Sequence, residues 1–588
     1  MDQDNKKSND TKQPPLSSNT NNNNDDLLAS SAKGAGYLVL LQFASRMLTF
    51  GLHQIVLRYT TAETLGIASV KLELLLSTIL FISREGFRCA LLRGDDNNDN
   101  NNNKTHDRLG NNNNNNNNNE QKITNLAYIP TILGLITTCL ACGYYLSTID
   151  TITATKYPYY RTSVLLFGIA AFAELLVEPL FILAMNRLYF QLRVSVEGVA
   201  VLLRCFITFG LTLAGASKAG LGSNHNSYGV LAFAVAQLVF GLTMAIGYLG
   251  FFFKKVQQNE IDMHILYPRK LIDDNGRSYW FDTQMFNLAS TLTKQSLLKH
   301  VLTEGDKMLI SVLSTDDNQG VYAFVVNYGS LIVRILFQPL EEASRTFFSK
   351  LLTTKNTRNT QTAKDVILLV LRFHVMLGLL FICFATNYTS TLIDLLVGKE
   401  WSTERNAPAV LSAYCLYVPI MGINGITEAF VQAAASKNDL TILSYYMIVF
   451  SACFMASGYF FMSILNMGAI GLVLANMVNL SIRIAYSWNY IQRYFQHNSI
   501  SGDNTVITKN SMSIKQWFPS TVTIAAFVGS WAITRWSEET IGWGTFYQKM
   551  IHITIGGLCF LVVAGTTAWK ERSWFQDMRR LVKAQKTA

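Results

Sequence analysis

Charged residues are scarce in this 588-residue chain: 15% of its residues are Asp, Glu, Lys or Arg, while 49% are hydrophobic. Soluble proteins carry about 25% charged residues, so the composition excludes an ordinary soluble domain. The net charge of +10 does not indicate nucleic-acid binding, because no soluble basic domain is present. Apolar stretches of the roughly 20 residues that a membrane-spanning helix needs recur along the chain. The sequence therefore predicts a polytopic membrane protein.

Motifs that carry enzyme chemistry are also missing. The chain contains no G-x-x-x-x-G-K-[ST] loop, which argues against direct use of ATP, and no H-E-x-x-H helix for a catalytic metal. Its one C-x-x-C pair, Cys139 and Cys142, lies in an apolar helix without a neighbouring histidine, which favours packing over a zinc or redox site. Polytopic glycosyltransferases need acidic residues in a sizeable loop between their first two helices, whereas the connection here, 59–62, is short and has no acid. We expect a protein that is not an enzyme and needs no cofactor or metal.

Apolar runs between charged or Pro/Gly breaks predict fourteen transmembrane helices. Several runs exceed the thickness of one bilayer, which indicates tilted helices or ends that project into water. The predicted fold is therefore all-α. The predicted spans are 34–58, 63–92, 123–148, 161–186, 188–217, 228–253, 284–315, 319–350, 365–388, 407–435, 439–463, 466–494, 515–535 and 547–568.

Basic residues in short loops give the predicted orientation. They concentrate in the segment 254–283, the loop 350–364 and the basic tail 569–588, which lie on the same side as both termini if there are fourteen spans. Both termini are therefore expected in the cytoplasm. The tail 1–33 and an Asn-rich insert at 95–121 are low in complexity and are expected to be disordered cytoplasmic segments.

The two halves of the chain resemble each other in the same order. RMLTFGLHQ (46–54) aligns with HVLTEGDKM (300–308), and Gly66 then falls on Gly320 at the same offset of 254 residues. The charged helix end FISREGFR (81–88) matches the position of FQPLEEAS, and two further matches follow. Such internal repeats indicate two homologous bundles.

The repeat predicts two six-helix bundles around a central polar cavity, with two additional C-terminal helices. In transporters built from repeats, the substrate site lies between the halves near the bilayer midplane. The predicted segments are the N-terminal bundle 34–253, the cytoplasmic linker 254–283, the C-terminal bundle 284–494 and the two additional helices within 515–568.

Several charged residues fall inside predicted spans, where each costs about 2.5–3.5 kcal/mol at the bilayer centre. One interpretation is that they form buried ion pairs that lock helices together, and another is that Arg84 and Arg88 only reach the lipid headgroups from a helix end. So many charges at repeat-related positions favour a hydrated cavity instead. Guanidinium groups bind phosphate at two points and stay charged when partly desolvated, so the arginines indicate an anionic substrate. The candidate cavity residues are Arg46, Arg58, Arg84, Arg88, Glu304, Asp306, Lys307 and Arg334.

Four stretches strongly resemble the Rft family: ETLGIASVKLELLLSTILFISREGFRCALLR (63–93), LTEGDKML (302–309), VRILFQPLEEASRTFF (333–348) and GAIGLVLANMVNL (468–480). The family belongs to the multidrug/oligosaccharidyl-lipid/polysaccharide exporter superfamily. The resemblance implies an endoplasmic-reticulum membrane protein that moves Man5GlcNAc2 on dolichyl diphosphate from the cytoplasmic to the lumenal leaflet, for N-glycosylation. It also implies that Arg46, Arg58, Arg84, Glu304 and Arg334 are polar cavity residues.

Two other functions remain open at this point. The first is a scaffold that transports nothing but presents lipid-linked sugar to the enzymes that assemble it, with which this protein would then associate. The second is a cation-coupled exporter of the same superfamily, which would use membrane carboxylates such as Glu304 or Asp306. The arginine excess in the N-terminal bundle favours an anionic substrate, the dolichyl-diphosphate oligosaccharide, in a membrane of endoplasmic-reticulum lipids.

Overall fold

The structure is a computed structural model, and every structural statement here refers to the residues that it describes. The chain divides into two units, 1–53 and 54–588. Of the first unit only 48–53 are described, and they are helical. The contacts below all lie within the second unit. The described residues are 48–92, 112–149, 156–157, 159–187, 189–219, 228–272, 278–353, 357–499 and 516–576.

The described chain is almost entirely helical. After a helix that ends at residue 58, we number fourteen helices in chain order. A two-stranded antiparallel ladder, β1 (Leu271–Ile272) and β2 (Ser278–Tyr279), lies between α5 and α6. The helices are α1 (Ala62–Leu91), α2 (Glu120–Ser147), α3 (Tyr160–Asn186), α4 (Gln191–Ala216), α5 (Gly229–Gln257), α6 (Thr283–Leu313), α7 (Asp316–Leu352), α8 (Arg358–Asn387), α9 (Thr389–Leu396), α10 (Ala407–Ala434), α11 (Asn438–Ile464), α12 (Gly468–Gln496), α13 (Thr521–Ile541) and α14 (Phe546–Lys570).

Eleven of the described helices are long and apolar enough to cross a membrane. They match eleven of the predicted spans and confirm an all-α polytopic membrane protein. Two more predicted spans correspond to α6 and α13, which are helical but did not pass the same length-and-hydropathy test. The span predicted at 34–58 lies mostly outside the described residues. The count of fourteen spans therefore stays a prediction.

The Asn-rich insert needs a correction at its C-terminal end. The composition predicts disorder up to residue 121, but the chain is helical over Asn112–Ala127. Low-complexity composition alone did not reveal this helix, whose later residues Gln121 and Asn125 are buried. Asn125 donates hydrogen bonds to the carbonyls of Arg269 (2.6 Å) and Trp280 (2.8 Å), so contacts with the 254–283 segment hold this helix end. The insert before Asn112 lies outside the described residues.

Helices α1 to α5 pack together through small residues. Gly241 of α5 approaches the backbone of α3 so closely that an added Cβ would lie 2.8 Å from the Ala170 carbonyl oxygen. Small residues allow the two backbones to approach closely. Such contact matters in a membrane, because lipid provides no hydrophobic force between helices and van der Waals packing must hold them together. Val164, Phe167 and other apolar residues fill the core that α3 shares with α1.

We call α1 to α5 the first group of helices and α6 to α12 the second group. Helix α10 lies at the centre of the second group and packs against α7, α8 and α12. Its apolar residues are buried around most of its circumference, as expected for a helix surrounded by others. Pro419 lies inside it, and an added Cβ on Gly378 of α8 would lie 2.6 Å from the Pro419 Cβ. A glycine thus makes room for a helix-distorting proline on the neighbouring helix.

Helices α13 and α14 pack against each other and are held to the second group by buried polar contacts. Asn387 at the end of α8 donates to Thr534 Oγ1 of α13 at 2.8 Å. His552 of α14 is fully buried, and its Nε2 donates to the Asn387 carbonyl at 3.1 Å. Lys549 of α14 forms an ion pair with Asp394 of α9. The Tyr388 hydroxyl donates to the His552 carbonyl at 2.8 Å.

Candidate functional site between the two groups of helices

Two glycines that the sequence repeat relates to each other meet in the structure. Gly66 near the start of α1 and Gly320 near the start of α7 lie in direct backbone contact, since an added Cβ on Gly66 would lie 2.7 Å from Gly320 N. A Cβ on Gly320 would overlap the carbonyl of Ala62. Beside this crossing, Lys71 forms a 2.6 Å ion pair with Asp316. The first and second groups of helices are therefore closed against each other at this end, which we call the crossing end.

Helix α1 also contacts α6 further along its length. Thr78 Oγ1 lies 3.0 Å from His300 Nε2, and the Phe81 ring stacks on the His300 ring with their centroids 4.9 Å apart. Near the other end of α1, an added Cβ on Gly86 would lie 2.5 Å from the backbone nitrogen of Thr293. Helix α1 therefore contacts the second group of helices near both of its ends and in its middle.

Arg84 and Arg88 both face acids of α3. Arg88 makes a bidentate contact with Glu178, at 2.5 and 2.8 Å, and its guanidinium lies over the Phe181 ring at 3.8 Å. Arg84 lies 3.5 Å from Glu174. The four residues are mostly buried. Their contacts are those of helix-locking ion pairs, so an anion path along these two arginines stays a prediction without support from their geometry.

The three candidate residues of α6, Glu304, Asp306 and Lys307, are also largely satisfied within their own group. Lys307 forms a 2.9 Å ion pair with Glu304, one turn away on the same helix. Asp306 accepts a 2.9 Å hydrogen bond from the Tyr322 hydroxyl and another at 2.8 Å from the Lys307 backbone N–H. These three charged residues therefore leave few unpaired groups for a ligand.

Arg58 lies at the crossing end, where its side chain is exposed. It donates to two backbone carbonyls of the second group, Leu396 at 3.0 Å and Leu395 at 3.2 Å. Next to it, buried Trp401 donates to the Leu57 carbonyl at 3.1 Å. Arg58 thus fixes the end of its helix against α9, and among the described residues no carboxylate lies within 4 Å of it.

Arg334 differs from the other candidate residues in position and in partners. It is the central residue of α7, with 18 residues on either side, or about 27 Å of helix toward each end. Its guanidinium donates to Ser330 Oγ at 2.8 Å and more weakly to the carbonyls of Ser330 and Asn327. The side chain is exposed, and among the described residues no carboxylate forms an ion pair with it.

Arg84 and Arg334 lie on matching irregularities of two repeat-related helices. The regular α-helix of α1 gives way to a π-helical turn over Phe81–Glu85, and that of α7 does so over Val333–Phe337. Such turns occur often at functional sites, because the extra residue changes the direction of the side chains that follow. The two turns lie at similar positions in α1 and α7, and each contains an arginine. Arg84 pairs with an acid of α3, whereas Arg334 binds groups of its own helix.

Some contributors to this site were missed from the sequence, and one candidate cannot be placed. Ser330 and Asn327 hold Arg334, and their spacing of four and seven residues from it on one helix face could have identified them. Arg46 lies outside the described residues, and its predicted role stays a prediction. Within the described part of the chain, no group of three or more His, Cys, Asp or Glu residues is placed to hold a metal ion.

Comparisons with known proteins agree with this architecture and with the resemblance in the motifs. A solved structure of the lipid II flippase MurJ in an inward closed conformation has the same fold, with a TM-score of 0.56 over 90% of this chain and 98% of that chain, at 12% identity. The Man(5)GlcNAc(2)-PP-dolichol translocation protein RFT1 of Yarrowia lipolytica is 34% identical over 79% of this chain and 70% of its own length. The protein of the same name from Xenopus tropicalis is 30% identical over 92% of this chain and 95% of its own length. The Rft protein family model matches residues 30–581, and the chain belongs to this family.

Proposed function

We propose that this protein moves Man5GlcNAc2 linked to dolichyl diphosphate from the cytoplasmic to the lumenal leaflet of the endoplasmic-reticulum membrane, for N-glycosylation. The names of its relatives give the substrate, and family membership over 552 residues of the chain, 30–581, supports a shared role. The chain acts as a translocator and not as an enzyme.

The observation that carries the proposal is Arg334. Helix α7 is about 55 Å long and a hydrocarbon core is about 30 Å thick. If the helix projects equally on both sides, its central residue Arg334 lies near the midplane. An exposed cation there costs about 2.5–3.5 kcal/mol or more if it faces lipid. A hydrated path between the bundles removes this cost, and a diphosphate in that path would accept two parallel hydrogen bonds from the guanidinium.

The proposed topology follows from the basic loops. With both termini in the cytoplasm, the 254–283 linker and the 569–588 tail are cytoplasmic and the crossing end is lumenal. The proposed organisation keeps the bundles at 34–253 and 284–494, with α13 and α14 appended. The close contact of Gly66 with Gly320 then closes the path toward the lumen.

The two alternatives receive less support from the contacts. A cation-coupled exporter needs carboxylates that are free to bind protons or sodium, whereas Glu304 pairs with Lys307 and Asp306 is bonded to Tyr322. A scaffold that only associates with the assembly enzymes gives no reason for an unpaired arginine at the centre of α7. Such an association is compatible with the proposed transport.

Arg334 variants in cells that lack the native protein test the proposal. Arg334→Gln removes the charge, and Arg334→Lys keeps the charge but loses two-point binding of phosphate. We expect both to leave a reporter glycoprotein underglycosylated at normal protein abundance, with Gln worse than Lys. The matched control is Arg161→Gln, which removes an exposed arginine at a helix end instead of the centre. Full function of Arg334→Gln would show that Arg334 does not handle the substrate.

A further inference from the structure

A polar cavity of about 650 Å³ opens at the crossing end, beside the turn that contacts the first group of helices. It lies where α8 and α13 end and α10 begins, and its volume falls within the range of about 300–1,000 Å³ found for small-molecule sites. Short hydroxyl side chains dominate its wall. The lining residues used below are Thr386, Thr403, Arg405, Asn406, Ala409 and Arg535.

Two hydroxyl groups of this wall are oriented by bonds to carbonyls of their own helical turns. Thr386 Oγ1 donates to the Ile382 carbonyl at 2.7 Å, and Thr403 Oγ1 donates to the Lys399 carbonyl at 2.6 Å. A hydroxyl has one proton but two acceptor lone pairs. Because the protons are already used, these oxygens are fixed as acceptors for the hydroxyl protons of a ligand.

The charged residues of the wall compensate one another. Arg405 pairs with Glu400 at 2.6 Å, and Arg535 pairs with Glu539 at 2.7 Å and with Glu538 at 3.3 Å. Two cations therefore face three carboxylates, an arrangement that disfavours an anionic ligand. Arg405 Nη1 is buried and does not reach the cavity surface. The wall offers acceptors and the Asn406 amide, and no excess positive charge.

We propose that this cavity binds a neutral glycan, namely part of the oligosaccharide after it has reached this side of the membrane. The proposal rests on the proposed function, and it adds a glycan site separate from the diphosphate contact at Arg334. Sugars present many hydroxyl groups and little charge, which matches a wall of ordered acceptors with few donors. None of the lining residues is aromatic, so the site lacks a stacking platform and binds weakly enough to release the glycan.

The cavity wall is also part of the contact between the two groups of helices. The turn Glu400–Glu404 supplies two lining residues, and Trp401 of the same turn donates to the Leu57 carbonyl. Arg58 binds carbonyls of α9, directly before this turn. A glycan in the cavity therefore lies against the segment that holds the crossing end.

The test measures binding of free Man5GlcNAc2, without lipid or diphosphate, to the purified full-length chain in lipid nanodiscs by saturation-transfer NMR. Ala409→Trp fills the cavity from an exposed position without removing a hydrogen-bonding group. Asn406→Ala removes an amide that makes no side-chain cap bond to its helix. Thr540→Trp is the matched control, because it adds the same side chain at an exposed helical position outside the lining.

We expect saturable binding to the wild type and to Thr540→Trp, at least about tenfold weaker binding to Ala409→Trp, and about two- to tenfold weaker binding to Asn406→Ala. Inorganic diphosphate should not compete. Absence of saturable glycan binding to the wild type, or equal binding to Ala409→Trp, overturns the glycan site. A wild-type chain that still translocates the lipid in vesicles under those conditions would leave the proposed function standing. Glycan binding at this cavity by a chain that translocates nothing would refute the proposed function alone.

Discussion

Substituting Gly66 with alanine should open the crossing end. Real Cβ atoms essentially never approach other heavy atoms within 3.0 Å, yet the new Cβ would lie 2.7 Å from Gly320 N and nearer still to the Asp316 carbonyl oxygen. The obstructing atoms are backbone, so no side-chain rotation can relieve the overlap and the two helices must move apart. Extra atoms in a well-packed site cost about 1–3 kcal/mol. The population of the closed arrangement should then fall about 5- to 150-fold.

The assay combines thermal unfolding of the purified protein with glycosylation of a reporter in cells. Gly66→Ala should lower the unfolding midpoint and leave the reporter underglycosylated. Gly250→Ala is the matched control, because it changes a helical glycine with nothing within 4 Å of the added Cβ, and it should behave as the wild type or better. Wild-type stability and glycosylation in Gly66→Ala would refute the closed glycine crossing.

Two further changes test the buried ion pairs. Glu178→Gln leaves Arg88 without its charged partner in a site where the Glu178 side chain is 1% exposed, so we expect a loss of about 3 kcal/mol or more in unfolding free energy. The control is Glu63→Gln, which breaks the ion pair with Lys156, where the two side chains are 34% and 50% exposed, and it should cost about 1 kcal/mol or less. Equal losses in the two variants would contradict the reasoning. Asp394→Asn should loosen α14 by breaking the ion pair with Lys549, seen as faster proteolysis of the α13–α14 connection, and unchanged proteolysis would show that the pair does not hold these helices.

Helix positions and their repeat could be predicted from the sequence because both depend on local composition. Apolar runs identified eleven spans that the structure confirms as long apolar helices. The alignment of Gly66 with Gly320 indicated equivalent positions in two halves, but it gave no sign that the two glycines touch. Their contact depends on how the halves pack, which the residue pattern along either helix does not contain.

The roles of the charged residues were harder to predict for the same reason. The sequence predicts Arg84 and Arg88 as cavity residues. Their acidic partners, Glu174 and Glu178, lie 90 residues further along the chain, so the local pattern does not show the pairing. Tertiary contact alone brings these pairs together. Arg334 was identified from its position inside a predicted span, which is a local property of the sequence. It lies at the centre of α7, and its place in a cavity stays a prediction.

The glycan-site proposal had no sequence signal at all. Its wall comes from the end of α8, the turn before α10 and the last turns of α13, which are separated by more than 100 residues between Thr386 and Arg535. Each segment alone reads as an ordinary polar helix end with Ser, Thr and Asn. Only the packing of α13 against α8, through Asn387 and Thr534, makes one cavity of them.

The most direct test of the proposed function is a leaflet-transfer measurement with the purified chain in lipid vesicles that contain radiolabelled Man5GlcNAc2-diphosphodolichol in one leaflet. The account predicts that the wild type transfers the lipid much faster than protein-free vesicles do. It also predicts that Arg334→Gln lowers the initial rate roughly 10- to 150-fold, the effect of losing a charge-assisted hydrogen bond, while Arg161→Gln leaves it unchanged. Transfer by the wild-type chain at the rate of protein-free vesicles would contradict the account and favour the scaffold.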